Sequence, residues 1–213
     1  MFDAIASRYD TTNRVLSLGQ DLRWRRQLAK HLPRGNIRLL DIATGSGDQL
    51  IALCTRELID AIGIDQSEAM LDLARKKAPH LTWEVGDAEK LRFKDGAFDA
   101  VTCSFGIRNM DHPDTALREM ARVLRTKGRA LILEFSLPKW PVRPIYLVYL
   151  RHILPRLGGA LSRSTSAYRY LNQTIESFPS GRAFERLVMA NGFSAVTTHT
   201  MALGAVSLYV AEK

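Results

Sequence analysis

The chain has 213 residues, 46% of them hydrophobic and 24% charged, enough to bury a full core and to need no covalent staple. Its 30 basic residues outnumber 22 acidic ones, for a formal charge of +8. That surplus suits an anionic partner surface and excludes a strongly acidic or disordered chain. With only two cysteines, Cys54 and Cys103, a disulfide-built secreted scaffold is also excluded; both fall in apolar segments and read as small core residues suited to a reducing compartment.

In chain order, residues 1 to about 32 read as a helical cap. The opening Met1–Asp10 carries acidic residues and no long apolar core, so neither a secretory signal nor an anchor is expected from it. A buried parallel strand follows at Ile37–Ile42, and then a glycine turn, Asp41-Ile-Ala-Thr-Gly45-Ser46-Gly47, leads into a helix. Gly45 and Gly47 let the backbone pass close under a ligand, toward which the helix aims its free amides. A dinucleotide turn would have a third glycine where Leu50 stands. The pattern D-x-A-x-G-x-G instead resembles the first motif of S-adenosylmethionine-dependent methyltransferases, with Asp41 holding the turn or facing the methionine part of the cofactor.

The second strand, Ala61–Ile64, ends in Asp65, whose carboxylate can accept from both ribose hydroxyls. The third, Leu81–Val85, ends in Gly86-Asp87-Ala88, where a carboxylate and a backbone amide can pair with an adenine edge. Each aspartate alone is equally an ordinary turn or helix cap, Asp65-Gln-Ser-Glu68 being a capping sequence; in order, the strand tips describe one adenosine. A fourth strand, Phe98–Ser104, a helix near Pro113–Leu124, and a fifth strand opened by Gly128 over Ala130–Phe135 continue the alternation, with no internal repeat or low-complexity tract. After an insertion from about Pro138 to Pro179, a helix over Gly181–Asn191 and a final hairpin complete a doubly wound sheet. Phe193–Ala211 is the nearest approach to a spanning segment, but Thr197–Thr200 and Gly204 make it a hairpin.

The positive charge is concentrated in the insertion. Between Glu134 and Glu176 there is no acidic residue, while Lys139, Arg143, Arg151, Arg156, Arg163 and Arg169 alternate with Trp140, Tyr146, Tyr149, Tyr168 and Tyr170 around the apolar run Ile145–Leu150. Such a segment lies equally well on an anionic bilayer or as a lid whose apolar face packs on the sheet.

The chain resembles the ubiquinone/menaquinone biosynthesis C-methyltransferases. The resemblance rests on Phe2-Asp-x-Ile-Ala-x-Arg-Tyr-Asp10 with Asn13 and Leu16-Ser-x-Gly19, on Ser104-Phe-Gly-Ile-Arg-Asn109, and on Tyr168-Arg-Tyr-Leu171 with Glu176-Ser-Phe-Pro179. It covers the chain from end to end; Asp111-His112 is a departure at a variable point. It implies a class I S-adenosylmethionine-dependent methyltransferase with a Rossmann-like α/β fold. That fold is one domain over 1–213, with a mostly parallel seven-stranded sheet, a C-terminal antiparallel hairpin, an N-terminal helical cap over 1–32 and a helical insertion over 138–179 facing substrate or membrane. It also implies C-methylation of a prenylated quinol, demethylmenaquinol above all, with S-adenosylhomocysteine as product and no metal. Cofactor positions fall by motif match on Ser46, Asp65, Asp87, Ala88 and Ser104.

A quinol ring carbon becomes nucleophilic when a hydroxyl is deprotonated, so a fixed cation or hydrogen-bond donor at that oxygen helps greatly at neutral pH. Arg108 is the first choice, Asn109 and Tyr9 would hold the ring, and His112 or a water would take the ring proton. Each has a plain alternative: Arg108 pairing with an acidic residue, Asn109 capping a turn, Tyr9 in the core, His112 marking the helix start before Pro113. The expected setting is the cytoplasm, peripherally on the inner face of the membrane, with homodimerisation open. Nucleic acid is not an expected partner, because Ser104–Asn109 is no proline-aromatic loop for a flipped base. A nucleic-acid methyltransferase, or a non-catalytic cofactor-binding subunit of a quinone assembly, is the alternative.

Overall fold

Ile37–Ile42 forms strand β1 in the computed structural model, which describes residues 14, 15, 17, 19–54, 59–156 and 165–213, with side chains from 169 in the last span. Arg38 alone in β1 is exposed; its backbone N–H donates to Asp99 Oδ2 at 2.6 Å. The rest is sandwiched between layers of helices, as a continuous apolar strand requires. Around β1 the sheet is ordered β3-β2-β1-β4-β5-β7-β6, where β2 is Ile59–Asp65, β3 Thr82–Val85, β4 Phe98–Ser104, β5 Leu124–Phe135, β6 Ala195–Met201 and β7 Val206–Glu212. Strands β1 to β5 are parallel, and β7 runs antiparallel between β5 and β6.

The helices are α1 (Gln20–Leu28), α2 (Asp48–Leu53), α3 (Glu68–Lys77), α4 (Pro113–Val123), α5 (Val142–Val148), α6 (Thr165–Ser177) and α7 (Arg182–Ala190). Ser67 caps α3 by accepting the Met70 N–H at 3.2 Å. Helix α4 begins on Pro113 and buries Ala116, Leu117, Met120, Ala121 and Val123 against the sheet. One difference from the sequence expectation is β5, which begins at Leu124 rather than at Gly128. The ladder with β4 jumps from Phe98↔Leu124 to Ala100↔Arg129, so residues 125–128 bulge out and the regular pairing starts where the glycine predicted it.

Trp83 of β3 sets the spacing of the cofactor side of the sheet. Its ring lies between Gly47 and Gly63, and an added Cβ would stand 2.6 Å from ring atoms at either glycine. The indole N–H donates to Ala78 O at 2.9 Å, which pins the ring. Gly47, at φ 84°, is therefore needed for packing under Trp83 as well as for its left-handed turn. Gly63→Ala is expected to lower stability by about 1–3 kcal/mol through overpacking. An unchanged urea midpoint for that variant would show that Trp83 has room to move.

The insertion builds its own small core from Leu150, Leu154 and Ile175, packed on Phe135, Leu137, Tyr146, Tyr149 and Leu171. Helix α5 widens into a π turn over Tyr149–Ile153. The β6–β7 turn lies at the carboxyl end of β5, because Phe135 pairs with Val206. Ser136 ties it down by donating from Oγ to Gly204 O at 2.8 Å, and Gly204 packs on Pro138. Hairpin turn and insertion thus share one end of the sheet, the end at which the parallel strands deliver their tips.

Candidate active site

The strand order reverses at β1, whose neighbours are β2 and β4; the loops leaving β1 and β4 part there and open a crevice. Both loops leave through strained residues, Ala43 at φ 49° and Phe105 at φ 58°. The crevice is lined by Asp21 and Arg25 of α1, by Asp41, Ala43, Thr44, Gly45, Ser46, Asp48 and Gln49 of the glycine turn, and by Ser104. Gly45, at φ 58°, has nothing among the described residues within 4 Å of an added Cβ, so its Cα faces open space there. Asp41 lies beneath, accepting from Thr44 Oγ1 at 2.6 Å and Thr102 Oγ1 at 2.5 Å. Burial pushes its carboxyl up to about 6, against the pull of the two hydroxyls and of Arg25.

Asp65 joins this site through the turn itself. Its Oδ2 accepts the Gly45 N–H at 2.8 Å and its Oδ1 accepts the Ser67 N–H at 2.9 Å. The carboxylate thus braces both the glycine turn and the start of α3. The tip of β3 is stitched alongside, Gly86 N donating to Asp65 O at 3.0 Å. Asp87 is exposed and Ala88 buried; Asp87 Oδ1 accepts the Glu89 N–H at 2.8 Å. Ser104 Oγ donates to Gln49 Oε1 at 2.7 Å, and Gln49 Nε2 donates to Arg25 O at 3.3 Å. One chain of hydrogen bonds therefore docks α1 onto the tip of β4.

Beyond Phe105 lies a second polar cluster. Arg108 Nη1 donates to Glu134 Oε1 and to Phe105 O, both at 2.7 Å, and the ion pair is buried, the arginine side chain being 7% exposed and the glutamate 1%. Arg108 Nε, Glu134 Oε2 and Asn109 Oδ1 are buried without a hydrogen-bond partner among the described residues. Asn109 Nδ2 donates to Phe105 O at 3.3 Å. The guanidinium also lies 5.1 Å from the Phe135 ring centre. Burial raises the Glu134 carboxyl while Arg108 pulls it down. Tyr146 of α5 completes the cluster, its phenol pushed up by burial and by Tyr149 and drawn down by Arg108. A compensated but incompletely satisfied ion pair is costly to bury; three spare polar atoms here fit an oxygen-bearing ring.

The structure brings Asp41, Gly45, Ser46 and Ser104 to one crevice, Asp65 behind its glycine turn, and Arg108 and Asn109 to the neighbouring cluster. His112 is not brought in: it is exposed at the start of α4, its backbone N–H donating to Glu89 Oε1 at 2.9 Å. Tyr9 lies outside the described residues, as does the side chain of Tyr168. Arg25, Glu134 and Tyr146 were not singled out by the sequence reading; only Glu134 carries a sequence signal, a carboxylate inside an otherwise apolar strand. Cys54 and Cys103 are both free, and burial raises both thiols, Cys54 to about 12.

Over residues 1–213 the sequence matches the ubiE/COQ5 methyltransferase family. It is 41% identical, over all of its own length and 94% of the relative's, to a protein of Citrifermentans bemidjiense named ubiquinone/menaquinone biosynthesis C-methyltransferase UbiE. It is 42% identical to the demethylmenaquinone methyltransferase of Thermus thermophilus, over 100% of both chains. Among solved structures, a SAM-dependent methyltransferase of Thermotoga maritima, described as a possible histamine N-methyltransferase, superposes with a TM-score of 0.70 at 22% identity. It is matched over 100% of this chain and 97% of its own.

Proposed function

Because the chain belongs to the ubiE/COQ5 methyltransferase family, we propose that it methylates a ring carbon of a prenylated quinol, demethylmenaquinol first among them, with S-adenosylmethionine as donor. The observation that carries this reading is the crevice at the β1/β4 switch point with the buried Arg108 cluster beside it. The residues fit the donor: Gly45 leaves open space, Asp41 offers negative charge to an ammonium, and Ser46 and Ser104 offer hydroxyls. By their motif positions at the tips of β2 and β3, we assign Asp65 to the ribose and Asp87-Ala88 to the adenine. When bound, the donor supplies a methyl group already activated on a positively charged sulfur.

The chain's own residues do the rest. Arg108 holds the quinol oxygen as its proton passes to water, which sends electron density to the adjacent ring carbon. Glu134 fixes the guanidinium plane through its 2.7 Å bond. Asn109 and Tyr9 orient the ring, and a water receives the ring proton after the carbon–carbon bond has formed, because His112 stands exposed at the start of α4, outside the cluster. The test is transfer of isotopically labelled methyl from S-adenosylmethionine to short-tailed demethylmenaquinol and to a benzoquinol, each offered reduced and oxidised. Label on a ring carbon of the reduced form supports the reading. Cofactor binding without transfer to either would send it to the subunit alternative, and transfer to nucleic acid would replace it.

The substrate tail sets the location we propose, the inner face of the membrane. No helix among the described residues is long and apolar enough to cross a bilayer, but Trp140 is 84% exposed and Leu203 81%, with Ile145 and Val148 also outward. Leu203 tops the hairpin turn that packs on Pro138, so these side chains share the rim through which strands β4 and β5 deliver the site. Lys139 and Arg143 are exposed among them. An apolar rim with basic flanks suits an anionic bilayer. The double variant Ile145→Glu with Val148→Glu is expected to lose flotation with anionic vesicles and turnover of long-tailed quinol, while keeping turnover of a short-tailed one. Wild-type flotation for that variant would locate the docking face elsewhere.

A further inference from the structure

Four charged side chains line the crevice: Asp21, Arg25, Asp41 and Asp48. Three already have side-chain partners. Asp21 accepts from Ser17 Oγ at 2.9 Å and pairs with Arg14 at 3.1 Å. Asp48 pairs with Arg14 at 3.2 Å and with Lys77 at 2.7 Å. Asp41 is bonded by two threonine hydroxyls. Arg25 differs: it is 8% exposed, has no ion pair among the described residues, and its buried Nε has no hydrogen-bond partner. The face of Phe105 lies 5.5 Å from the guanidinium carbon, and Asp41 is near enough to feel the charge without bonding it. A guanidinium held largely out of water with a buried donor unused is expensive to maintain, and the natural occupant of its fork is a carboxylate or phosphate.

We propose that Arg25 binds the α-carboxylate of the methionine part of the cofactor, making α1 a part of the donor site. The inference rests on the donor assignment above and adds a residue to it. A zwitterionic amino acid would lie with its ammonium toward Asp41 and its carboxylate toward Arg25, two groups of opposite sign on one crevice wall. The hydrogen-bond chain Ser104–Gln49–Arg25 O fixes the α1 backbone at that spot. Donor binding would then hold α1 more firmly against the sheet.

The test is a binding comparison by calorimetry of S-adenosylmethionine with its decarboxylated analogue, which keeps sulfonium and amine. Wild-type protein is expected to prefer the carboxylate form by about 10- to 100-fold, the range of one charge-assisted hydrogen-bonded pair. In Arg25→Ala that preference should vanish, with affinity for the decarboxylated form little changed; Arg25→Lys should keep part of it, because the charge remains and the fork is lost. Equal wild-type affinity for the two ligands would overturn the role of Arg25 and leave the donor assignment standing. No binding of either would overturn both. The wild-type comparison needs no variant, so a poorly folding Arg25→Ala does not shelter the proposal.

Discussion

Arg108→Ala is expected to lose turnover by about 100- to 1000-fold, the usual effect of removing one donor from a developing oxyanion, and to lose stability by about 3–5 kcal/mol as well. The second loss follows from Glu134, which would remain buried in β5 with its one ion-pair partner gone. Two effects from one substitution are separable by pH and by a second variant. Burial already raises the Glu134 carboxyl and Arg108 opposes the rise; without the arginine the folded-state value climbs further above the unfolded one, about 4.3. The folded protein then holds more protons than the unfolded chain above that pH, so the added instability is small in acid and grows as the pH rises through the shifted value.

Arg108→Ala combined with Glu134→Gln removes the buried charge and should recover most of the stability. Turnover should stay low if the guanidinium acts on the quinol oxygen. Urea titrations at acid and neutral pH measure the first, and labelled methyl transfer per folded molecule the second. Wild-type turnover in the stable double variant would reduce Arg108 to a structural partner of Glu134.

That separation matters because the sequence offered both readings of Arg108, favouring the donor role over the structural one without showing the partner that decides between them. What a sequence shows well is local: the apolar runs of β1, β2 and β4, Pro113 at the start of α4, and the glycine turn are all set by nearest neighbours along the chain. Their boundaries fell within a few residues of expectation. The partners were less legible, because they come from far away in the chain. Arg108 meets Glu134 across 26 positions, and Ser104 meets Gln49 across 55.

Gly47 illustrates the same limit from the other side. Its sequence position suggested closeness to a ligand, and the structure finds Trp83 against it, a contact no local pattern encodes. Arg25 is the plainest case. Within Leu22-Arg-Trp-Arg-Arg26 three arginines are equivalent in sequence, and only the turn of α1 about its axis decides that one of them faces the crevice.

Asp41→Asn is expected to make the protein more stable and a poorer cofactor binder. Burial pushes the Asp41 carboxyl up to about 6, whereas an unfolded chain would titrate it at about 3.9. Between those values the folded state binds the extra proton, so stability falls as the pH rises through that window and stays reduced above it, by up to about 3 kcal/mol at two pH units of separation. Asparagine carries no charge to bury, and its amide can both accept from and donate to the hydroxyls of Thr44 and Thr102. Its advantage should therefore be largest at pH 7 to 8 and disappear near pH 4. Donor affinity should move the opposite way. In the wild type it should rise with pH through about 6, as the carboxylate forms opposite the ammonium, and in Asp41→Asn it should be weaker and flat over the same range. Thermal melts with and without S-adenosylmethionine across pH 4 to 8 read both trends. A stability gap that does not change with pH would mean that Asp41 is ionised at no cost, and its place under Gly45 would then be explained by the two hydroxyls alone. A gap that opens as donor affinity rises would show a charge kept in the core because the ligand, when it arrives, supplies the missing counter-charge.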